Sequence, residues 1–426
     1  MRILYVSQYF PPEPCAPAAR VSELSRHWAE TGHEVTVLTA FPHHPTGVKR
    51  PEDRGLIVRE ERHGPIHVVR SYVWAAPNEG TVPRILSYLS YMCSAIFVGA
   101  TRLRRPDIVV ATSPQLFCAV AGWVLSVLMR CPFVFEVRDL WPESVTAVGA
   151  MGDGWLVRWA KRLAAFLYRQ ADHIVTVGEG YRDGLVREYE VSPDRISVIP
   201  NGADVKLFQP ESGDQLRAEL GLSGHFVCLY LGTHGLAHAL DKVLDAASLL
   251  ADDPEIRFVF VGEGAEKKSL LRGAADRKLH NVQFLPAQPK HRVPEFYAAA
   301  DVCLVPLRRV PLFAEVLPSK IFEIMAMERP VVLSVDGEAR RLVERARSGV
   351  VVGPEDAPAL ASAIRRLKAD PQMRHAMGLA GRCFLLRHYT RAELADRYLE
   401  LLTRLVGNCK ASGAATINSG HHRITV

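Results

Sequence analysis

The sequence predicts an α/β protein built from two doubly wound, Rossmann-like domains facing a central cleft. Three observations lead there. The chain has 426 residues, more than one ordinary core holds, so two domains of roughly 200 residues each are expected. Short β-branched runs alternate with helical patterns, as a parallel sheet wrapped by helices on both faces requires. The alternation then starts afresh at Phe226.

Ile3 to Val6 reads as a buried parallel strand. A Pro-rich loop and a helix near 18–31 follow, Gly32-His33 ends that helix, and Glu34 to Thr39 is the next strand. Further strands are expected at 66–70, 107–111, 133–137, 173–177 and 196–199. The second set begins with Phe226 to Leu231, then a Gly loop and a helix near 240–250. Strands at 257–261, 282–284, 302–305, 331–334 and 350–352 continue it. The domains expected are 1–204 and 205–390, joined near Pro200 to Gln209, with the ligand cleft between them. A helical pattern at 391–406 closes the ordered part and could pack back on the first domain. The polar, Gly- and Ser-containing stretch 407–426 is expected to be disordered.

Composition narrows the function classes. With 48% hydrophobic and 23% charged residues the chain is globular. A net charge of +6 suits an anionic substrate or a membrane surface without demanding nucleic acid. The eight cysteines form no CxxC and mostly sit in apolar runs, so reduced core residues of a cytoplasmic protein are expected. The short apolar start, closed by Pro11-Pro12, is a strand rather than a signal peptide. No uninterrupted apolar stretch reaches spanning length.

The stretch Glu315-Val-Leu-Pro-Ser-Lys320-Ile-Phe-Glu323 is the first chemical candidate. Ser319 is placed to cap a helix, whose free N–H groups and dipole attract phosphate. Lys320 adds a full charge in the first turn, and Glu323 lies where a carboxylate can take a ribose diol. Glu315, in the loop before, could bond sugar hydroxyls. A solvent-facing helix with scattered charges fits the spacing equally well.

A wider pattern separates these readings. The two glutamates match the E-x7-E motif of retaining glycosyltransferases of the GT-B fold, the glycosyl transferases group 1 type. Gly32-His-Glu-Val-Thr-Val-Leu-Thr39 resembles that family's first helix-to-strand turn, and Ile199-Pro-Asn-Gly-Ala-Asp204 with Phe208 its interdomain signature. Val261-Gly-Glu-Gly264, Asn281 to Phe284 and Tyr297 to Val302 resemble the segments leading to E-x7-E. Phe135-Glu-Val-Arg-Asp-Leu-Trp-Pro-Glu-Ser144 and Phe41-Pro-His-His-Pro-Thr-Gly47 are similar to bacterial surface-polysaccharide enzymes, of the O-antigen, capsule and N-acetylfucosaminyltransferase kind.

The resemblance implies a metal-independent transfer without cofactor, from a nucleotide-diphosphate sugar to a glycan or lipid-diphosphate-linked acceptor. Lys320, Ser319, Pro318 and Gly232 would hold the diphosphate, Glu323 the ribose and Glu315 the sugar. The sequence also departs from the family. The usual Arg and Lys after the second domain's first strand are missing from Gly232-Thr-His-Gly-Leu-Ala-His-Ala-Leu240, which throws weight on Lys320. The glycine-rich first loop is Ala16-Pro-Ala-Ala-Arg20, so Arg20 could meet an anionic acceptor instead. The acceptor-side His-Asp is Arg138-Asp139, at the carboxyl end of a strand, where open α/β sheets bind ligands. Asp139 could orient an acceptor hydroxyl or take its proton, with Arg138 and Glu143 beside it. A structural Asp–Arg pair is the alternative.

Gly262-Glu-Gly264 lacks the third glycine of a dinucleotide fingerprint, so a tight turn is expected. His43-His44 and His421-His422 lack partners at metal-ligand spacing, and no metal site is expected. Trp155 to Arg169 is a basic amphipathic pattern, and 85–101 is apolar but short and followed by Arg102, Arg104 and Arg105. Both fit peripheral contact with the inner face of the cytoplasmic membrane. A nucleotide-sugar epimerase on the same plan and a non-catalytic assembly subunit remain as alternatives.

Overall fold

The computed structural model describes residues 1–13, 15–44, 46–76, 81–113, 115–140, 143 and 154–419, with side chains except those of 81 and 410–419. Two sheets divide them. The first holds β1 (Arg2–Val6), β2 (Glu34–Ala40), β3 (Val58–His63), β4 (Ile66–Ser71), β5 (Ile108–Thr112), β6 (Phe133–Val137), β7 (His173–Thr176) and β8 (Ile196–Val198). Their order is β3-β4-β2-β1-β5-β6-β7-β8. The second holds β9 (Phe226–Leu231), β10 (Ile256–Val261), β11 (Val282–Leu285), β12 (Val302–Pro306), β13 (Val331–Ser334) and β14 (Gly349–Val351), in the order β11-β10-β9-β12-β13-β14. The chain turns from one side of its first strand to the other between β1 and β5 in the first sheet and between β9 and β12 in the second. Ligands of open α/β sheets bind outside the carboxyl ends of strands at such a point.

The helices of the first domain are α1 (Ala16–Glu30), α2 (Thr81–Arg102), α3 (Leu116–Met129), α4 (Trp155–Gln170) and α5 (Glu179–Tyr189). Those of the second are α6 (Asp214–Glu219), α7 (Leu240–Ser248), α8 (Lys267–Asp276), α9 (Val293–Ala299), α10 (Lys320–Ala326), α11 (Glu338–Ala346), α12 (Ala357–Ala369) and α13 (Pro371–His388), and α14 (Arg391–Ser419) follows. Helices cover both faces of the first sheet, and its central strands are buried along most of their length. One core packs α2 to α5 on one face of the first sheet, through Tyr91, Leu125, Ala164 and Leu185. The other face is covered by α1 and α14 together, through Val21, Leu24, Trp28, Leu394 and Tyr398. Trp28 Nε1 donates to the Ala395 carbonyl at 3.0 Å, tying α14 to the first domain.

The chain therefore crosses between domains twice, and the crossings are bonded to each other. Ala203 pairs with Thr390, and Arg391 donates from Nε to the Asn201 carbonyl and from Nη2 to that of Gly202. Gly202 has φ +61°, and a Cβ there would sit 2.6 Å from the Tyr389 carbonyl oxygen. Only glycine meets both conditions cheaply, which is the physical content of the Pro-Asn-Gly run.

Four expectations are corrected. β3 is an additional strand, antiparallel to β4, so the first sheet is mixed. Val58-Arg-Glu-Glu-Arg-His63 carries charges on an edge and offers no apolar run to read. α2 is 22 residues long and meets the length and hydropathy needed to cross a membrane, because its polar residues are few and uncharged between Arg84 and Arg102. It is also anchored in the domain, with the Tyr91 hydroxyl donating to the Leu38 carbonyl at 2.8 Å. α14 continues to Ser419, past the expected end at 406 and into the stretch expected to be disordered, which includes the helix formers Lys410, Ala411, Ala414 and Ala415; 420–426 lie outside the described residues. Of the cysteines only Cys118, Cys228 and Cys303 are buried, while Cys93, Cys383 and Cys409 are exposed; all eight are free.

Candidate active site

The second domain contributes a cation at its switch point. β9 ends at Leu231, and Gly232 turns away with φ +146°. The Lys320 ammonium occupies the space this opens: Nζ lies 2.8 Å from where a Gly232 Cβ would be and 4.1 Å from the centre of the Tyr230 ring. Burial lowers the ammonium to about 8, against the opposing pull of Glu323 and then of the Cys303 thiol. The stretch 232–240 adds no second cation. Burial pushes His234 down to about 4 and His238 to about 3, and nearby Lys320 adds to both shifts. The loop is held close by glycines: a Cβ on Gly262 would meet the Gly232 carbonyl oxygen at 1.9 Å, and one on Gly264 the His234 carbonyl oxygen at 2.3 Å. The missing side chains of Gly262 and Gly264 make this close approach possible.

Glu323, one turn on, accepts from the Tyr297 hydroxyl at 3.2 Å and faces Lys290 Nζ at 3.5 Å. Lys290 also reaches Glu23 of α1 at 3.4 Å, so this corner of the site is closed by the first domain. Ser319 does not cap α10. Its backbone is already helical, at φ −59° and ψ −28°, with no side-chain bond to the helix. The first turn is instead closed by backbone bonds from Ile321 to the Pro318 carbonyl and from Phe322 to that of Ser319.

Glu315 faces the first domain. It ends a 3₁₀ turn (Pro311–Glu315) that lies against α5. A Cβ on Gly180 would stand 2.5 Å from the Glu315 Cα, and one on Gly184 3.2 Å from its Oε2. Arg187 Nη2 donates to Oε1 at 2.8 Å. Oε2 is buried without a hydrogen-bond partner among the described residues. A second carboxylate grips the same helix: Glu338 accepts from the N–H groups of Glu179 and Gly180 at 3.0 and 2.9 Å. That is the favourable place for an anion on a helix dipole.

The first domain contributes the ends of β5 and β6. Ser113 Oγ accepts from the N–H of Arg138 at 2.7 Å and of Asp139 at 3.3 Å, fixing the turn after β6. Asp139 and Glu315 come into the same neighbourhood around Tyr181. Burial raises that hydroxyl well above its usual range, and the charges of Asp139, Glu338 and Glu315 add to the shift while Arg138 opposes it.

Two acceptor-side residues have scaffold partners. Arg20 is buried and spent on the scaffold. Nη1 donates to the Pro200 carbonyl at 2.9 Å, Nη2 to that of Ile199 at 2.9 Å, and Nε is paired with Glu136 at 3.2 Å. It holds the interdomain crossing instead of a ligand. Glu143 accepts from the Tyr189 hydroxyl at 2.6 Å and lies 3.7 Å from Lys161, tying α4 to α5. In both cases the partners lie far along the chain, out of reach of local spacing. The same distance hid Arg187 and Glu338, and the contact of Lys290 with Glu23, all made across the cleft.

Among the described residues no cluster of His, Cys, Asp and Glu could hold a metal ion. The model of glycosyl transferases group 1 matches residues 213–383, and that of the glycosyl transferase 4-like domain residues 16–202. WcaI of Escherichia coli K12, described as a glycosyl transferase of colanic acid biosynthesis, is 30% identical over 384 residues, covering 87% of this chain and 93% of WcaI. Among solved structures, sucrose-phosphate synthase from Thermosynechococcus elongatus superimposes with a TM-score of 0.77 at 21% identity, over 96% of this chain and 99% of that one. The Anabaena protein HepE in complex with UDP-glucose does so with 0.69 at 18% identity, over 95% and 100%.

Proposed function

This chain belongs to the glycosyl transferases group 1 family, and from that premise we propose a retaining transfer of a sugar from a nucleoside diphosphate to a lipid-linked glycan in surface polysaccharide assembly. It is a glycosyltransferase of polysaccharide or glycan biosynthesis; donor, stereochemistry and acceptor are the proposal. The observation that carries it is the Lys320 ammonium enclosed beside Gly232 at the switch point, with Glu323 one turn away. UDP-glucose in HepE and the colanic acid role in WcaI's description support the same reading.

The bond from the anomeric carbon to the diphosphate breaks, and the acceptor oxygen bonds to that carbon on the same face. Lys320 stabilises the departing diphosphate without a metal, since a preorganised cation in a dry site is worth far more than one in water. Glu323 takes the ribose hydroxyls, and Glu315 Oε2 a hydroxyl of the donor sugar. Asp139 orients the acceptor hydroxyl or accepts its proton. The α5 contacts of Glu315 and Glu338 hold the cleft closed against water. The decisive experiment incubates the chain with a panel of nucleotide sugars and bacterial membrane lipid, and weighs the lipid. A gain of one sugar mass is expected. An isomerised nucleotide sugar formed without lipid would instead establish the epimerase.

Attachment to the cytoplasmic face of the membrane belongs to the same proposal. α3 lies between α2 and α4, with Phe117 6.2 Å from Trp159 and Trp123 4.9 Å from Phe166. The three helices expose Leu86, Phe97, Val127, Leu128, Trp155 and Trp159, the tryptophans at 73% and 45%. Arg158, Lys161 and Arg162 are exposed among them. Each basic residue near an anionic surface contributes about 1 kcal/mol. Trp155→Ala/Trp159→Ala is expected to weaken flotation with phosphatidylglycerol vesicles several-fold while leaving thermal stability unchanged. Equal flotation of both proteins would remove this face from the proposal.

A further inference from the structure

We infer that the switch-point crevice of the first sheet receives an oxyanion of the acceptor, a phosphate or a carboxylate, on the guanidinium of Arg138. This rests on the reading of the first domain as the acceptor side. Arg138 stands at the carboxyl end of β6, its backbone fixed by Ser113 from the end of β5. Its Nε and Nη1 are buried and have no hydrogen-bond partner among the described residues. Burial lowers its affinity for the proton, and the Arg20 charge adds to that, with Glu136 opposing.

Glu136, two residues earlier on the same strand, acts on Arg138 through its charge but makes no hydrogen bond to Nε or Nη1. The Tyr5 hydroxyl and Thr112 Oγ1 each donate to Oε1 at 3.0 Å, and Arg20 Nε faces Oε2 at 3.2 Å. A second orphan lies along the same carboxyl edge. Gln8, just past β1 and 2% exposed, has neither its side-chain nitrogen nor its side-chain oxygen hydrogen-bonded among the described residues. The pairing of Val6 with Ala111 places Gln8 level with Ser113, and the pairing of Thr112 with Glu136 places Ser113 level with Val137. Gln8 and Arg138 thus border the place where the strand order reverses.

Buried donors without partners destabilise a fold and persist where a ligand completes them. A guanidinium offers the fork that matches phosphate and carboxylate oxygens. Lys320 serves the diphosphate of the donor from the other domain. Arg138 therefore selects acceptors that carry negative charge near the accepting hydroxyl, with Gln8 available to a neighbouring hydroxyl or amide.

The test titrates inorganic pyrophosphate, and separately glucuronate, into the full chain saturated with UDP, comparing wild type, Arg138→Met and Gln8→Leu. One of the two oxyanions is expected to bind wild type on top of UDP. Arg138→Met is expected to lose that binding by about tenfold or more, with UDP affinity unchanged and a melting temperature equal to or above wild type. Gln8→Leu should weaken it less. A fall in melting temperature with oxyanion binding intact would make Arg138 structural and overturn the inference. Loss of UDP affinity would reassign Arg138 to the donor and overturn it equally. If UDP does not bind at all, the donor reading fails by itself. The oxyanion titrations are then run on Lys320→Ala chains with and without Arg138→Met, where binding that survives Arg138→Met overturns the inference.

Discussion

Lys320→Ala is expected to lower donor kcat/KM by roughly 10²- to 10³-fold, the usual loss when one preorganised charge or donor is removed from a developing anion. The stretch 232–240 makes the effect large, because its imidazoles are held neutral at physiological pH by burial and by Lys320 itself. Lys320→Arg should rescue little, since Gly232 leaves room for an ammonium 2.8 Å from its missing Cβ and not for a planar fork. The pH dependence has a definite sign. The ammonium of the free chain titrates near 8, so the cation is present below that pH and lost above it. UDP affinity should fall as pH rises through 8 and approach a tenfold loss per unit. Stability runs the other way. Between 8 and the ordinary 10.5 the unfolded chain binds the proton and the folded chain does not, so the cost of burying Lys320 is fully present below 8 and fades as pH rises. Lys320→Met should therefore melt higher than wild type at pH 7. UDP affinity flat from pH 7 to 9 in wild type would remove Lys320 from the phosphate site.

Gly180→Val is expected to cost roughly a hundredfold in transfer, the scale of loss for a displacement of about 1 Å at a reacting centre. A Cβ at 180 would stand 2.5 Å from the Glu315 Cα and 2.6 Å from its carbonyl oxygen, and a backbone cannot swing aside as a side-chain tip can. The N–H groups of Glu179 and Gly180 would also leave Glu338. The domains should then part, raising the radius of gyration in solution scattering, while each core keeps its packing and the melting temperature changes little. UDP binding should persist, because Lys320 and Gly232 belong to one domain. Transfer at the wild-type rate would show that the α5 contact does not position Glu315.

The sequence alone determined the doubled α/β plan, since strands covered by helices on both faces must be continuous apolar runs, and those runs are visible locally. It also singled out Lys320, because a lysine between E-x7-E glutamates stands out when the neighbouring loop has lost its cations. Strand β3 escaped notice because an edge needs charge rather than apolar residues. Tertiary structure decided every question of partnership. Glu315, Lys320 and Glu323 lie within nine residues yet face three different neighbours, Arg187, Tyr230 and Lys290. Arg20 was spent on the interdomain crossing, and Arg138 was left with open donors. The chain encodes which charges exist; which of them remain available for a substrate depends on partners that arrive from tens of residues away to more than a hundred, and only packing brings those together.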